Sequence, residues 1–371
     1  MNSIYIKTKI YFGENSLKRL EELKTKNIWI ICDGFLVKSG SIKTILSLID
    51  GSNKVSIFDD VVPDPPLKVI GRGIALIKEI NPDVVIAYGG GSAIDTAKAI
   101  IYFARQQKIV NEVNFIAIPT TSGTGSEVTS ATVITDTEEK IKHLISDDGI
   151  LPDEAILDAN LIMTVPQEIT ANTGIDVLTH AIEAYVSRNS NSYSDALAEK
   201  AVELVIESLL KCYNKGDDIK AREKMHEASN LAGIAFNIAG LGVNHSIAHQ
   251  LGGRFHIPHG LANAIILTTV IDYNSQEDEI LKKYAKLAYK SGMVEKKENE
   301  QFAVKVLKGY ITSLMKIMNM PINLKECNID KDEFNNVKQL IAENALKDTC
   351  ISANPIDVTI DDLKRLLQLV Y

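Results

Sequence analysis

Cysteine is scarce and scattered: Cys32, Cys212, Cys327 and Cys350 form no C-x-x-C pair. That pattern gives neither a disulfide framework nor a thiolate zinc site, and it suits a reducing compartment. No apolar run approaches the ~20 residues that span a bilayer, so no membrane association is expected. The opening MNSIYIKTKIYFG lacks the basic start and apolar core of a secretory signal, reads as an opening strand, and leaves the cytoplasm as the expected location. Positive charge is in deficit, with 40 Lys and Arg against 48 Asp and Glu and a net charge of −8. No basic excess is left to neutralise phosphates, which argues against a nucleic-acid partner. Internal repeats, low-complexity linkers and the G-x-G-x-x-G dinucleotide fingerprint are also missing.

What is present is an ordinary globular composition, 45% hydrophobic and 24% charged, in a chain of 371 residues, long enough for two domains. The first half alternates short β-branched runs with amphipathic stretches. Strands are expected at 27–32, 54–58, 83–88, 115–118, 130–135 and 155–157, and helices at 41–49, 68–80 and 93–103, with Asp33-Gly34 as a turn. Such alternation implies a parallel sheet covered by helices. From about Val165 the strand signal fades. Helical periodicity covers 166–187, 194–211, 217–239, 244–252, 261–273, 278–291, 299–318, 331–345 and 360–369. The expected architecture is therefore a Rossmann-like α/β dinucleotide-binding domain over 1–164 and an all-α domain over 165–371.

Two glycine-rich loops follow strands in the first half. Gly89-Gly90-Gly91-Ser92 opens a helix, where free N–H groups and the positive helix end suit a pyrophosphate. Asp95 in its first turn adds a favourable charge, and Lys98 reads as a solvated face residue. PTTSGTGSE, 119–127, supplies glycines and hydroxyls that can donate to phosphate and ribose. Ligands of such sheets bind outside the carboxyl ends of the strands, where both loops lie. Asp33, after the first of these strands, can take the ribose hydroxyls and would repel a 2′-phosphate, favouring NAD over NADP.

The second half concentrates histidine: four of the chain's seven fall in NHSIAHQLGGRFHIPHG, at His245, His249, His256 and His259. His245 and His249 are four apart, as are Asp176 and His180 in GIDVLTHAIE, so each pair shares a helix face. A carboxylate and several imidazoles converging from two helices make a candidate site for a divalent transition metal. A cleft placing a nucleotide beside that metal would suit hydride transfer.

GGGSAIDTAKAI, PTTSGTGSEVTSATVITD, NTGIDVLTHAIEAYVS and HSIAHQLGGRFHIPHGLANA stand in the order and spacing of the iron-containing (group III) alcohol dehydrogenases, which the chain resembles from IYFGENSL to ALKDTCISANPIDVTIDDL. Through IWIICDGFL and DVLTHAIEAYVS it also resembles the 1-propanol dehydrogenases of propanediol-degrading bacterial microcompartments. The resemblance implies the dehydroquinate synthase-like pairing of an NAD-binding and a helical domain. It implies ferrous iron held by Asp176, His180, His245 and His259, with His249 beside the metal and linked to proton transfer. It implies NAD contacts at Asp33, Gly90, Gly91, Ser92, Asp95, Thr120, Thr121, Thr124, Ser126 and Lys142. His143 and His256 stand where the family varies. The implied partners are a small alcohol and its aldehyde, a second copy in a homodimer, and microcompartment shell or core enzymes. Ligand type alone also admits zinc or manganese. Two other readings remain at this point. One is a polyol dehydrogenase acting on glycerol or propanediol, or a sugar-phosphate cyclase, on the same architecture; for the cyclase no basic cluster accompanies the metal helices beyond Arg254. The other is a non-catalytic nucleotide-binding protein whose metal only joins two helices.

Overall fold

The structure is a computed structural model that describes residues 4–138 and 141–371. The chain divides into two compact units, Met1–Met163 and Thr164–Tyr371.

The first unit runs β1 (Lys9–Phe12), β2 (Asn27–Asp33), α1 (Gly34–Lys38), α2 (Ile42–Leu46), β3 (Lys54–Val61), α3 (Leu67–Ile80), β4 (Val84–Gly89), α4 (Gly91–Gln106), β5 (Asn114–Pro119), β6 (Ala131–Asp136), β7 (Ile141–Ser146) and β8 (Glu154–Leu157). Six strands form a parallel sheet in the order β1-β8-β5-β4-β2-β3. The central strands are apolar on both faces because both faces are covered. Along β2, Ile28, Ile30 and Cys32 join one core while Trp29 and Ile31 join the other. Tyr88, Val84 and Ile86 on β4 follow the first set, and Val85 and Ala87 the second. This period-2 division puts α3 and α4 residues such as Ile70, Ile77, Ala97 and Ile101 on one face, and Leu36, Ile42 and Ile45 from α1 and α2 on the other.

Strand order reverses between β2 and β4. β2 leads outward to β3, and the next crossover returns past β2 to β4. That reversal is where open α/β sheets bind ligands at their carboxyl edge. Two details depart from the sequence expectation. Asp33-Gly34 is a helix start, not a free turn: Asp33 caps α1, and its Oδ1 accepts the Leu36 N–H at 3.0 Å. The strand read at 130–135 gains an antiparallel partner, β7, which had not been expected. Its sequence, IKHLIS, interleaves polar and apolar residues too briefly to stand out in isolation.

The second unit contains α5 (Gln167–Val186), α6 (Ser192–Asn214), α7 (Ile219–Ala239), α8 (Val243–Phe255), α9 (His259–Asn274), α10 (Asp278–Lys290), α11 (Glu300–Ile317), α12 (Lys331–Lys347) and α13 (Ile360–Leu369), with no strand among the described residues. α5 is its axis: every residue from Gly174 to Val186 is buried, as in a helix enclosed on all sides. Alanine and glycine let neighbours come close. Gly174 faces Leu209 of α6, and an added Cβ would fall 2.2 Å from its Cδ1. Pro258 ends the link after α8 and serves as the cap of α9, which places His259 in the first helical turn.

Candidate metal centre and nucleotide loops

On α5, Asp176, His180 and Glu183 recur at intervals of four and three, so they line one face of a buried helix. α8 brings His245 and α9 brings His259 to that face. One ligand atom from each of Asp176, His180, His245 and His259 lies within 4.8 Å of the other three. The rings pack against one another: His180 stacks on His245 at 4.6 Å between centroids, and on its other neighbour Phe236 also at 4.6 Å.

The lone pairs of this group converge. Asn263 Nδ2 lies 2.8 Å from Asp176 Oδ1, 3.0 Å from His245 Nε2 and 3.2 Å from His259 Nε2. Asn244 Nδ2 donates to Asn263 Oδ1 at 2.9 Å and fixes which way the amide points. Three acceptors focused on one small positive group are the donor arrangement a divalent cation requires. Electrostatics agree. Burial, then the neighbouring rings, lowers His245 well below the ordinary imidazole value, so it is neutral as a ligand must be. Burial raises the Asp176 carboxyl, opposed by His180 and Asn263. Asp176, His180 and His245 are buried, whereas the His259 side chain is 34% exposed, so the group is open on one side.

Glu183 had no role in the sequence reading. Its Oε1 accepts the Gly242 and Asn244 N–H groups at 3.1 and 2.9 Å, and its Oε2 bonds His245 Nδ1. It therefore accepts the free N–H groups at the start of α8 and aims His245 Nε2 inward. Burial pushes its carboxyl up to about 8 against the backbone donors. The signal was available, since Glu183 is seven residues beyond Asp176 on the same face. Asn263, four beyond His259, carries the same periodic mark. His249 does not join the four donors; its Nδ1 turns to Asp348 Oδ2 at 2.8 Å. His256 is exposed at the end of α8.

In the first unit, Asp33, Gly90, Gly91, Ser92, Thr120, Thr121 and Thr124 gather at the carboxyl ends of the adjacent strands β2, β4 and β5. Gly90 caps α4, and Thr120 N donates to Gly89 O at 3.0 Å. The two loops touch: a Cβ on Gly91 would fall 2.6 Å from Thr124 Cγ2, so only glycine leaves the helix start bare. Asp95 and Ser126 are bonded to each other. Ser126 Oγ donates to Asp95 Oδ1 at 2.7 Å, and Val133 N donates to Oδ2 at 3.2 Å. Lys142, on β7, pairs with Asp64 at 2.7 Å.

The expectation for Lys98 is corrected. It is fully buried, and its ammonium donates to Ser126 Oγ, Thr129 Oγ1 and Ala131 O at 3.0, 3.0 and 2.8 Å. Burial lowers it to about 8, offset by Asp95 and Glu127. Lys98 thus clamps the second loop to α4.

Comparison with known proteins gives the same frame. Residues 7–159 match the model of the iron-containing alcohol dehydrogenases, and 170–371 that of the family's C-terminal domain. The chain is 45% identical to 1-propanol dehydrogenase PduQ of Citrobacter freundii, over 99% of both chains. It is 40% identical to the NADPH-dependent butanol dehydrogenase of Clostridium saccharobutylicum, over 98% of this chain and 96% of that one. A crystal structure of 1,3-propanediol oxidoreductase superposes with a TM-score of 0.89 at 32% identity, covering 98% of this chain and 97% of the other. With both units matched and such relatives aligned from end to end, the chain belongs to the iron-containing alcohol dehydrogenase family.

Proposed function

We propose that this alcohol dehydrogenase interconverts a short primary alcohol and its aldehyde, 1-propanol and propanal foremost, using NAD(H). The observation that carries the reading is the four-donor group of Asp176, His180, His245 and His259, with lone pairs focused on one point and one donor open to the surface. Structural ion sites are closed and often rich in thiolate; this one is neither. Those four residues would hold iron(II). The donor set also accepts zinc or manganese, and iron is favoured by the family. When bound, the ion supplies Lewis acidity that lowers an alcohol's pKa and polarises a carbonyl.

The chain's own residues do the rest. Glu183 and Asn263 hold the donors in register. The N–H groups at Gly90, Gly91 and Ser92 receive the pyrophosphate, with Thr120, Thr121, Thr124 and the loop that Asp95, Ser126 and Lys98 brace. Asp33 caps α1 through Oδ1 and leaves Oδ2 for the adenosine ribose. Asp59 on the neighbouring strand adds negative charge against a 2′-phosphate, which supports NAD, whereas Asp60 is paired with Arg72 at 3.1 Å. His249 would accept the alcohol proton, and bound NAD would supply the hydride acceptor.

Likeness to 1,3-propanediol oxidoreductase supports a diol as second substrate class. A homodimer is proposed from the family likeness, and residence in a bacterial microcompartment with its shell or core enzymes from the likeness to 1-propanol dehydrogenase. The test is anaerobic: protein, Fe(II), NADH and propanal, then 1,3-propanediol with NAD, following the reduced-cofactor absorbance. Turnover that needs metal and prefers NAD supports the reading. No turnover with Fe(II), Zn(II) or Mn(II) sinks it, and a preference for NADPH overturns the role given to Asp33.

A further inference from the structure

Beside the four-donor group, His249 belongs to a second set of polar side chains whose other members have no assigned task. His249 projects from α8, and Asp348 ends α12 and opens the 3-10 turn Thr349–Ala353. His249 Nδ1 and Asp348 Oδ2 are 2.8 Å apart, with the two side chains only 13% and 12% exposed. Asp348 Oδ1 accepts the Cys350 N–H at 2.9 Å. Burial alone would raise this carboxyl; the hydrogen bonds and the proximity of His249, with those from Cys350, outweigh it and hold Asp348 below its ordinary value.

His249, Asp348 and Cys350 offer ligand atoms within 4.8 Å of one another, as a cation site would. Their chemistry is spent otherwise. Both carboxylate oxygens already accept hydrogen bonds. Burial, with Asp348 and Glu183 nearby, keeps Cys350 as a thiol, far above its ordinary value. What remains is one directed histidine. An ionised carboxylate has only lone pairs, so the shared proton sits on Nδ1 and Nε2 carries the free pair. The ring stacks on His259 at 5.5 Å and lies 6.0 Å from His245.

We propose that Asp348 is a positioning residue of the proton path: it locks the ring of His249 and its Nδ1–H tautomer, so that Nε2 is the acceptor beside the four-donor group. This rests on the alcohol dehydrogenase reading of the site. In oxidation, Nε2 would accept the alcohol O–H proton, and the hydride from the carbinol carbon would be taken up by bound NAD. The imidazolium so formed is stabilised by Asp348, and it returns the proton to solvent before the next turnover.

The experiment uses full-length wild type, D348N, D348A, H249A and the H249A/D348A double variant. Iron content and kinetics are measured on the Fe(II) enzyme. The tautomer is measured by 15N-histidine NMR on the diamagnetic Zn(II)-loaded protein, with H249A identifying the resonance. D348A should lower kcat by about 10–100-fold with full metal content and little change in either KM. D348N should recover little of that loss, because its single carbonyl oxygen cannot accept from both the Cys350 N–H and Nδ1–H, and its amide carries no charge to stabilise the imidazolium. The double variant should fall no further than H249A, because both changes act through one imidazole. In the spectra, His249 should be protonated at Nδ1 in wild type and lose that preference in D348N and D348A. Multiplying losses in the double variant, metal loss in proportion to activity, or an unchanged tautomer in D348A would overturn the proposal. If wild type shows no NAD-linked turnover, the alcohol dehydrogenase reading fails, and the tautomer in D348A still decides for or against the role of Asp348.

Discussion

Glu183 touches two backbone N–H groups at the start of α8 and the imidazole of His245, all in a buried pocket. Glu183→Gln keeps the volume but replaces one oxygen by a donor, which cannot accept both from α8 and from Nδ1–H. Metal affinity, measured by competition with a chromophoric chelator, should fall about 10–100-fold while the helical circular dichroism is kept. A ligand change such as His259→Ala should exceed that loss; an equal or smaller effect would argue that His259 is not a ligand. Lys98 gives a pH signature. Its folded value of about 8 lies below the ordinary 10.5, so between the two the unfolded chain holds a proton the folded chain has released. Stability from this group therefore rises with pH across about 8 to 10.5, with a slope of at most about 1.4 kcal/mol per pH unit. Denaturant titrations of wild type and Lys98→Met at stepped pH should differ by that slope. Parallel curves would mean Lys98 is not buried as a cation.

Helices α5 and α9 meet at Gly260, beside His259. A Cβ there would fall 2.1 Å from Asn172 O and 3.2 Å from Asp176 Cβ, so backbone and not a flexible side chain would have to move. Gly260→Ala should cost roughly 1–3 kcal/mol and part Asp176 from His259. Metal affinity should drop in step with stability. Gly253 is the control, since nothing lies within 4 Å of its Cβ position. Gly253→Ala inside α8 should be neutral or stabilising by up to about 1 kcal/mol, with metal affinity intact. If both variants bind metal alike, close contact of α5 and α9 does not set the site.

For the whole molecule, the proposed nucleotide loops belong to one unit and the candidate metal donors to the other. Ligands should therefore protect different amides. Zn(II) at 100 times its dissociation constant should stabilise the second unit by about 2.7 kcal/mol, read as slowed hydrogen exchange in α5, α8 and α9. NADH alone should protect β4, α4 and the 119–127 loop. Metal protection confined to the first unit would contradict the assignment. The four cysteines are free, so reductant should not change the melting temperature.

The nine helices of the second unit and the central strands of the first could be read from periodicity, because burial of one face is a local rule that 3.6- and 2-residue spacing records. Spacing also told that Asp176 and His180 share a face, as do His245 and His249. It could not tell which imidazoles meet. His245 and His249 look alike on α8, yet His245 turns to Asp176 and His249 to Asp348, a partner 99 residues away. Lys98 looked solvated because its three acceptors lie in a loop about 30 residues on. Sequence alone determined the elements and the residue types able to bind a metal and a nucleotide. Packing of α5, α8, α9 and α12 decided which lone pairs converge, since a side chain's partners are chosen by contacts between helices that no local period encodes.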